Sequence, residues 1–274
     1  MDDQQIRQII QSGRRFMRMP VGEQAEGFVS DQQRRLPQPP LCKPAMRGPE
    51  ARTALGRDFQ ALNLKGDLVS ILSRRKSSRV YTGQPMSLLE LSFLLWAQQG
   101  VRGLRGRTYA TLRTVPCGGA RHEFECYLTA QNIEGLADGL YHYLPMDHAV
   151  EFLGAPEQLP KRIGETVCGQ RWAAQANAVF YYSMVPYRAE WRYGVFAHRT
   201  ALIDAGHITE NLYLACSAAG LGACAIAAVD ADASDGLFGL DGEEEFIFDC
   251  ATAGRVRPDD ADAEQAFYAV VDET

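Results

Sequence analysis

The run Arg74-Arg75-Lys76-Ser77-Ser78-Arg79 sets four cations and two hydroxyls within six residues. Guanidinium groups grip phosphate oxygens through paired N–H donors, and serine adds a further donor. The run reads as a phosphate-binding segment, with a solvated basic face as the plainer alternative. Near the other end of the chain, Arg255 and Arg257 follow Gly254. They read either as a second phosphate clamp or as a charged strand end. Between these basic segments lies Arg113-Thr114-Val115-Pro116-Cys117-Gly118-Gly119-Ala120. Small residues there would let a flat ligand approach the backbone, although a tight turn has the same composition. Nearby cations would turn Cys117 into a low-pKa nucleophile. Without them it is a small packing residue.

Other patterns fail on context. Gly220-x-Gly222-x-x-Ala225 matches a dinucleotide fingerprint in letters, but it follows a helical segment where that motif needs a strand. Ser73-x-x-Lys76 has no Lys-Thr-Gly partner, so a serine-hydrolase reading lapses. The five histidines show no His-x-x-x-His spacing and the seven cysteines no Cys-x-x-Cys pair. Neither a catalytic metal nor a structural zinc is therefore expected. His207 is expected to be a hydrogen-bonded structural histidine.

These groups need a scaffold, and 274 residues, 46% of them hydrophobic, can bury one. The net charge of −6 argues against a global footprint for nucleic acid or an anionic membrane surface. The first residues lack the basic-then-apolar order of a signal peptide, and no apolar run approaches membrane-spanning length. With an odd, widely spaced set of cysteines, a cytoplasmic protein with reduced thiols is expected.

Six of the thirteen prolines fall within residues 20–49. Residues 1–60 therefore read as an N-terminal arm, partly extended, with a short amphipathic helix over Gln5–Met17. Residues 61–274 form the main domain. Ser87-x-x-Glu90 is a capping box that opens a helix stopped at Gly100. His122–Ala130 reads as a strand with Phe124, Cys126 and Leu128 on one face. Gly139–Leu144 and Ala149–Leu153 flank a turn at residues 145–148 and form a hairpin. Ala176–Met184, Ala223–Val229 and Glu245–Ala253 are further strands. Leu202, Ala205, Ile208, Leu212, Ala215 and Ala219 mark one stripe of a helix over Thr200–Ala219, capped by Gly220. Hairpins with separated helices imply an α+β fold with a mainly antiparallel sheet.

In order along the chain, these segments resemble the FMN-dependent nitroreductase superfamily, in particular its SagB-type dehydrogenase (thiazole/oxazole oxidase-like) branch. The resemblance covers about residues 65–258. It is carried by the basic run, Leu94 to Gly100 (LLWAQQG), Arg113 to Ala120, Gly139 to Tyr143 (GLYHY), Ala205 to Ala215 (AGHITENLYLA), Gly220 to Asp230 (GLGACAIAAVD) and Gly254-Arg255. It implies a nitroreductase-like fold, an obligate homodimer, and one FMN at each of two subunit seams. Arg75, Lys76, Ser77 and Arg79 match the first flavin segment. There Arg75 and Ser77 would meet the phosphate or ribityl chain, and Arg79 the pyrimidine edge. Arg255 and Arg257 match the C-terminal phosphate contacts. Pro116, Cys117 and Gly118 match a loop lent by the partner subunit, where the family usually has Pro-Ser-Ala-Gly. Gln170 matches a polar flavin-edge contact, and Ala227 and Ala228 match backbone contacts near flavin N5.

Azoline-oxidising relatives carry a Lys-Tyr pair before the long helix, thought to remove a proton as flavin takes the hydride. Arg192-Tyr193 stands there in this chain. Arginine does not deprotonate, so the pair could act only through Tyr193, activated by Arg192. Glu210 replaces the usual glutamine before Asn211. The resemblance thus implies a flavoenzyme acting on a small molecule or a modified peptide. NAD(P)H-dependent nitro or quinone reduction is the alternative, and a non-catalytic flavin-binding scaffold is a third reading.

Overall fold

The computed structural model describes residues 1–18, 27–257, 265–267 and 269. Helices α1 (Asp3–Met17), α2 (Leu68–Arg74), α3 (Leu88–Gln99), α4 (Leu159–Thr166), α5 (Pro186–Tyr193), α6 (Ala197–Ala219) and α7 (Ala231–Phe238) alternate with strands. These are β1 (Arg52–Ala54), β2 (Val101–Arg105), β3 (Ala110–Arg113), β4 (Phe124–Ala130), β5 (Gly139–Leu144), β6 (Ala149–Gly154), β7 (Ala178–Met184), β8 (Leu221–Ile226) and β9 (Phe246–Arg255). Seven strands make one sheet in the order β1-β6-β5-β4-β7-β9-β8. Every pairing in it is antiparallel, as expected of the α+β class. β2 and β3 form a separate hairpin.

The period-two pattern divides the strands between two cores. Phe124, Cys126 and Leu128 of β4 and Phe180 and Tyr182 of β7 pack with Leu91, Leu94, Leu95, Ala205, Ile208 and Leu212 of α3 and α6. Tyr127, Val179 and Tyr181 face the opposite way, against Leu159 and Ile163 of α4 and Phe238 of α7. The sheet is therefore covered on both faces, which is why these strands are buried along their whole length. Among the described residues no helix is long and apolar enough to cross a membrane.

The Ser87–Glu90 capping box forms, with both reciprocal hydrogen bonds present. Gly100 ends α3, but at φ −60° and not in the left-handed conformation expected of a glycine stop. Its role is room: a Cβ there would stand 2.4 Å from Trp96 Cδ1 and 2.5 Å from the Trp96 carbonyl oxygen. Gly220 does close α6 in the left-handed region, at φ 71°.

The arm crosses the body as a strap. Gln32 N–H donates to the Trp191 carbonyl (2.8 Å), and Trp191 Nε1 donates to that of Leu36 (3.1 Å). β1 then adds the edge strand beside β6. Pro20 and residues 258–264, 268 and 270–274, assigned to the arm and the domain, lie outside the described residues.

Between Leu36 and β1 the strap has no ladder partner, so buried carboxylates satisfy its backbone. Glu125 Oε1 accepts from Lys43 N–H (2.6 Å). Glu151 Oε2 accepts from Met46 and Arg47 N–H (both 2.9 Å). His142 lies between them, its Nδ1 2.8 Å from Glu151 and its Nε2 3.4 Å from Glu125. Arg188 pairs with Glu125 at 2.5 Å.

Burial raises the Glu151 carboxyl, but hydrogen bonds from His142, Met46 and Arg47 outweigh it and hold the group below 4.5. Burial lowers His142, yet the two carboxylates carry it above 6.5. The carboxylate's contribution is present above about pH 4.5 and lost as pH falls through its lowered folded value. The histidine's contribution is complete below 6.5 and lost as pH rises through its raised value. Proteolytic cleavage within residues 36–48 should therefore be slowest between these limits and faster on either side. In Glu151→Gln, cleavage should be faster throughout and its acid-side rise smaller, the remainder belonging to Glu125, which Arg188 and His142 hold below 4.5 against its burial.

Candidate functional site

A cavity of about 240 Å³ opens where the ends of α2 and α6 meet the start of β8 and the exit of β9. Lys65, Arg74, Arg75, Lys76 and Arg257 line it, with Ser78, Tyr213, Ser217 and Gly220. Local rules deliver each cation. Asp67 caps α2 by accepting from Val69 and Ser70 N–H, and the chain leaves the helix at Arg75. Ser217 Oγ donates to the Ile71 carbonyl (3.0 Å), tying the last turn of α6 to α2. Ser78 N–H donates to the Ala223 carbonyl (2.8 Å), so the basic run lies along β8. The carbonyl end of α6 carries partial negative charge, which eases the crowding of cations around it.

Tyr213 organises this end. Its Oη accepts from Ala225 N–H (2.8 Å) and shares a hydrogen bond with Ser77 Oγ (2.9 Å). The Arg75 guanidinium stands 5.2 Å from its ring centre. Arg79 lies next along the run, 5.8 Å from the Trp172 ring centre.

The structure thus brings Arg75, Lys76 and Arg257 to one cavity, with Ser77 joined to its Tyr213, while Arg79 lies over Trp172. Arg255 goes elsewhere: its Nη2 pairs with Glu90 Oε2 (2.8 Å) and its Nε donates to the Pro85 carbonyl (3.0 Å). β9 ends at Arg255, so Arg257 is free to turn a different way. Ala227 and Ala228 follow the last residue of β8 and are exposed. Gln170 folds onto its own loop, donating through Nε2 to the Val167 carbonyl (3.2 Å).

The remaining candidates gather at the opposite end of α6. Arg192 Nη1 donates to Tyr109 Oη at 2.6 Å, and its guanidinium stands 5.5 Å from the Tyr193 ring centre. Arg121 covers the Tyr109 ring at 4.9 Å. A Gln32 hydrogen bond holds the Tyr109 phenol below its ordinary pKa; burial opposes it, and the charge and hydrogen bond of Arg192 add to the lowering. The phenol bonded to Arg192 is thus Tyr109. It sits in the β2–β3 hairpin, where no periodic signal marks it.

Gly119 fits against this pair at φ 58°; a Cβ there would lie 2.5 Å from Tyr193 Oη and 2.7 Å from Arg192 Nε. Gly118 N–H donates to Asp204 Oδ2 on α6 (2.9 Å). Cys117 accepts His122 N–H at 3.0 Å and donates to Glu123 Oε2 at 3.3 Å. Burial, then the charges of Glu123 and Asp204, push its thiol well above the usual range. That environment does not make Cys117 a low-pKa nucleophile. Burial and Asp204 also raise the Glu123 carboxyl to about 7.

From Asp204 to Ser217 the helix rises about 20 Å, so the two groups of candidates are separated within one chain. Leu202, Ile203, Gly206, His207 and Glu210 form an exposed stripe along α6 between them.

Replacing Tyr213 with Phe should strand the Ala225 N–H and release Ser77. The expected cost is about 1–3 kcal/mol, read as a fall in melting temperature of roughly 2–4 °C per kcal/mol. An unchanged melting temperature would contradict the organising role given to Tyr213.

The profile of the nitroreductase family matches residues 72–255. A protein of Methanocaldococcus jannaschii that carries a nitroreductase name is 30% identical over 161 residues, covering 59% of this chain and 78% of its own. A crystal structure from Ralstonia eutropha, also under a nitroreductase name, superposes with a TM-score of 0.61 at 26% identity, over 81% of this chain and 99% of that one. The Escherichia coli microcin synthetase McbBCD complex with truncated pro-MccB17 bound shares the fold. Its TM-score is 0.56 at 17% identity, over 89% of this chain and 94% of the matched one.

Proposed function

This chain belongs to the nitroreductase family of oxidoreductases, and on that premise we propose that it is an FMN-dependent oxidoreductase of the SagB-like type. One observation carries the reading: an acidic chain gathers Arg74, Arg75, Lys76, Lys65 and Arg257 around a single cavity. A flavin phosphate, with close to two negative charges, offsets such a concentration of like charge.

The donor set fits FMN. Arg75, Lys76 and Arg257 would hold the phosphate, Ser77 the ribityl chain and Arg79 the pyrimidine edge. Ala227 and Ala228 would offer backbone beside the ring. Bound FMN supplies hydride transfer at N5. The protein's own tasks are then to orient the substrate, exclude water and move a proton. Tyr193 would carry the proton, and Arg192, hydrogen-bonded to Tyr109, would set the local field.

The two ends of α6 argue for a homodimer. If two copies of this helix pair antiparallel, the Pro116–Gly118 loop of one approaches the cationic cavity of the other. The exposed Leu202 and Ile203 lie on the stripe that would be covered. The substrate class is a small molecule or a modified peptide bearing a thiazoline or oxazoline, dehydrogenated with the hydride passing to the flavin. NAD(P)H-driven nitro or quinone reduction is the same chemistry in the opposite direction.

Fluorescence titration with FMN tests the cofactor assignment. The paired change Arg75→Ala with Arg257→Ala should weaken binding at least about tenfold, the loss of 1.4 kcal/mol. Arg255→Ala should chiefly lower stability, because it leaves the Glu90 capping box without its cation. Full flavin retention in the double variant after dialysis would refute the site. Anaerobic bleaching of the flavin by an azoline peptide, slowed by Tyr193→Phe at unchanged flavin content, is the expected turnover result. Bleaching by NADPH alone would favour the reductase direction.

A further inference from the structure

We propose that Cys117, Glu123 and Asp204 form a binding site for a zinc-like divalent cation, which fastens the loop after β3 to α6. This inference uses none of the flavin-site cations and does not depend on the FMN reading. The donor atoms of the three side chains all lie within 4.8 Å of one another. Thiolate with carboxylate oxygens is a donor set that Zn²⁺ accepts, at about 2.3 Å to sulfur and 2.0–2.2 Å to oxygen. Closing from the observed spacing to such distances takes shifts on the order of 1 Å.

A second observation points to a ligand. Glu123 is 1% exposed, and its Oε1 is buried with no hydrogen-bond partner. An orphaned carboxylate oxygen in such a place is costly unless something positive meets it. The half-exposed His207 stands 3.5 Å from Asp204. A void of about 10 Å³ adjoins the cluster, lined in part by Cys117, His122 and Asp204. That is the room of roughly one water-sized sphere.

The surrounding bonds suit a metal site. His122 N–H donates to Cys117 Sγ and Gly118 N–H to Asp204 Oδ2, so backbone donors already orient two of the three ligands. Cys117 and Glu123 flank one short loop, while Asp204 is more than eighty residues on in α6. A cation here would therefore cross-link elements distant in sequence. Binding forms one metal–sulfur and two metal–oxygen bonds. The Cys117 thiol proton, and any proton held between the carboxyls, leave to solvent; nothing is oxidised or reduced. The sequence patterns gave no hint of this site, because its ligands share no short spacing.

The test is Co²⁺ titration of the full chain after dialysis against a chelator. We expect one equivalent to bind with a thiolate-to-cobalt charge-transfer band, and Zn²⁺ to displace it. Cys117→Ser should abolish the band, and Cys168→Ser, at an exposed cysteine, should leave it intact. Glu123→Gln, checked for folding by circular dichroism, should weaken Co²⁺ binding at least about tenfold, the lower end of what even an outer-shell change costs. Three results would overturn the site: no binding, a band that survives Cys117→Ser, or unchanged affinity in Glu123→Gln. A carboxyl pair that merely shares a proton would show the first. Flavin content of the unsubstituted protein, measured alongside, reports separately on the FMN reading.

Discussion

Holding like charges together is the central constraint on this molecule. The chain is acidic overall, yet Arg74, Arg75, Lys76, Lys65 and Arg257 line one cavity. They can do so because three elements end there. The carbonyl terminus of α6 faces the cluster, Tyr213 presents its ring to Arg75, and β8 accepts the backbone of the basic run. An anion bound there would relieve the remaining repulsion.

Elsewhere charge serves packing. Glu125, Glu151, His142 and Arg188 are buried on the far side of the sheet, where they substitute for a missing strand beneath the proline-rich strap. Their value lies in being complete. A buried carboxylate with all its donors fixes the strap's path, while one missing partner would leave a charge that the interior cannot solvate. Through Gln32, Tyr109 and Trp191 the same strap also meets the Arg192 end of α6. The arm therefore bears on the candidate chemistry without supplying a predicted site residue.

Elements with a clean period were legible. Phe124, Cys126 and Leu128 alternate because one face of β4 meets α3 and α6. The stripe from Leu202 to Ala219 marks α6, although Leu202 is exposed and the helix begins earlier, at Ala197. Short elements were not legible. α2, α5 and α7 span seven or eight residues, too few turns to show a stripe. In the β2–β3 hairpin, β2 is largely exposed and the four residues of β3 are too few to show alternation.

Residue types and their order along the chain determined which chemical groups this protein can offer: the basic run, the glycine loop and the late arginines are chemical facts of the sequence. Which of them meet was decided by tertiary structure alone. Arg255 and Arg257 look equivalent as letters, yet one clamps the α3 cap and the other lines the cavity, because β9 stops between them. Glu123 and Asp204 carry no motif, and only the packing of α6 against the loop brings them together. Contacts across many residues depend on where each element ends and turns, and no local spacing encodes that.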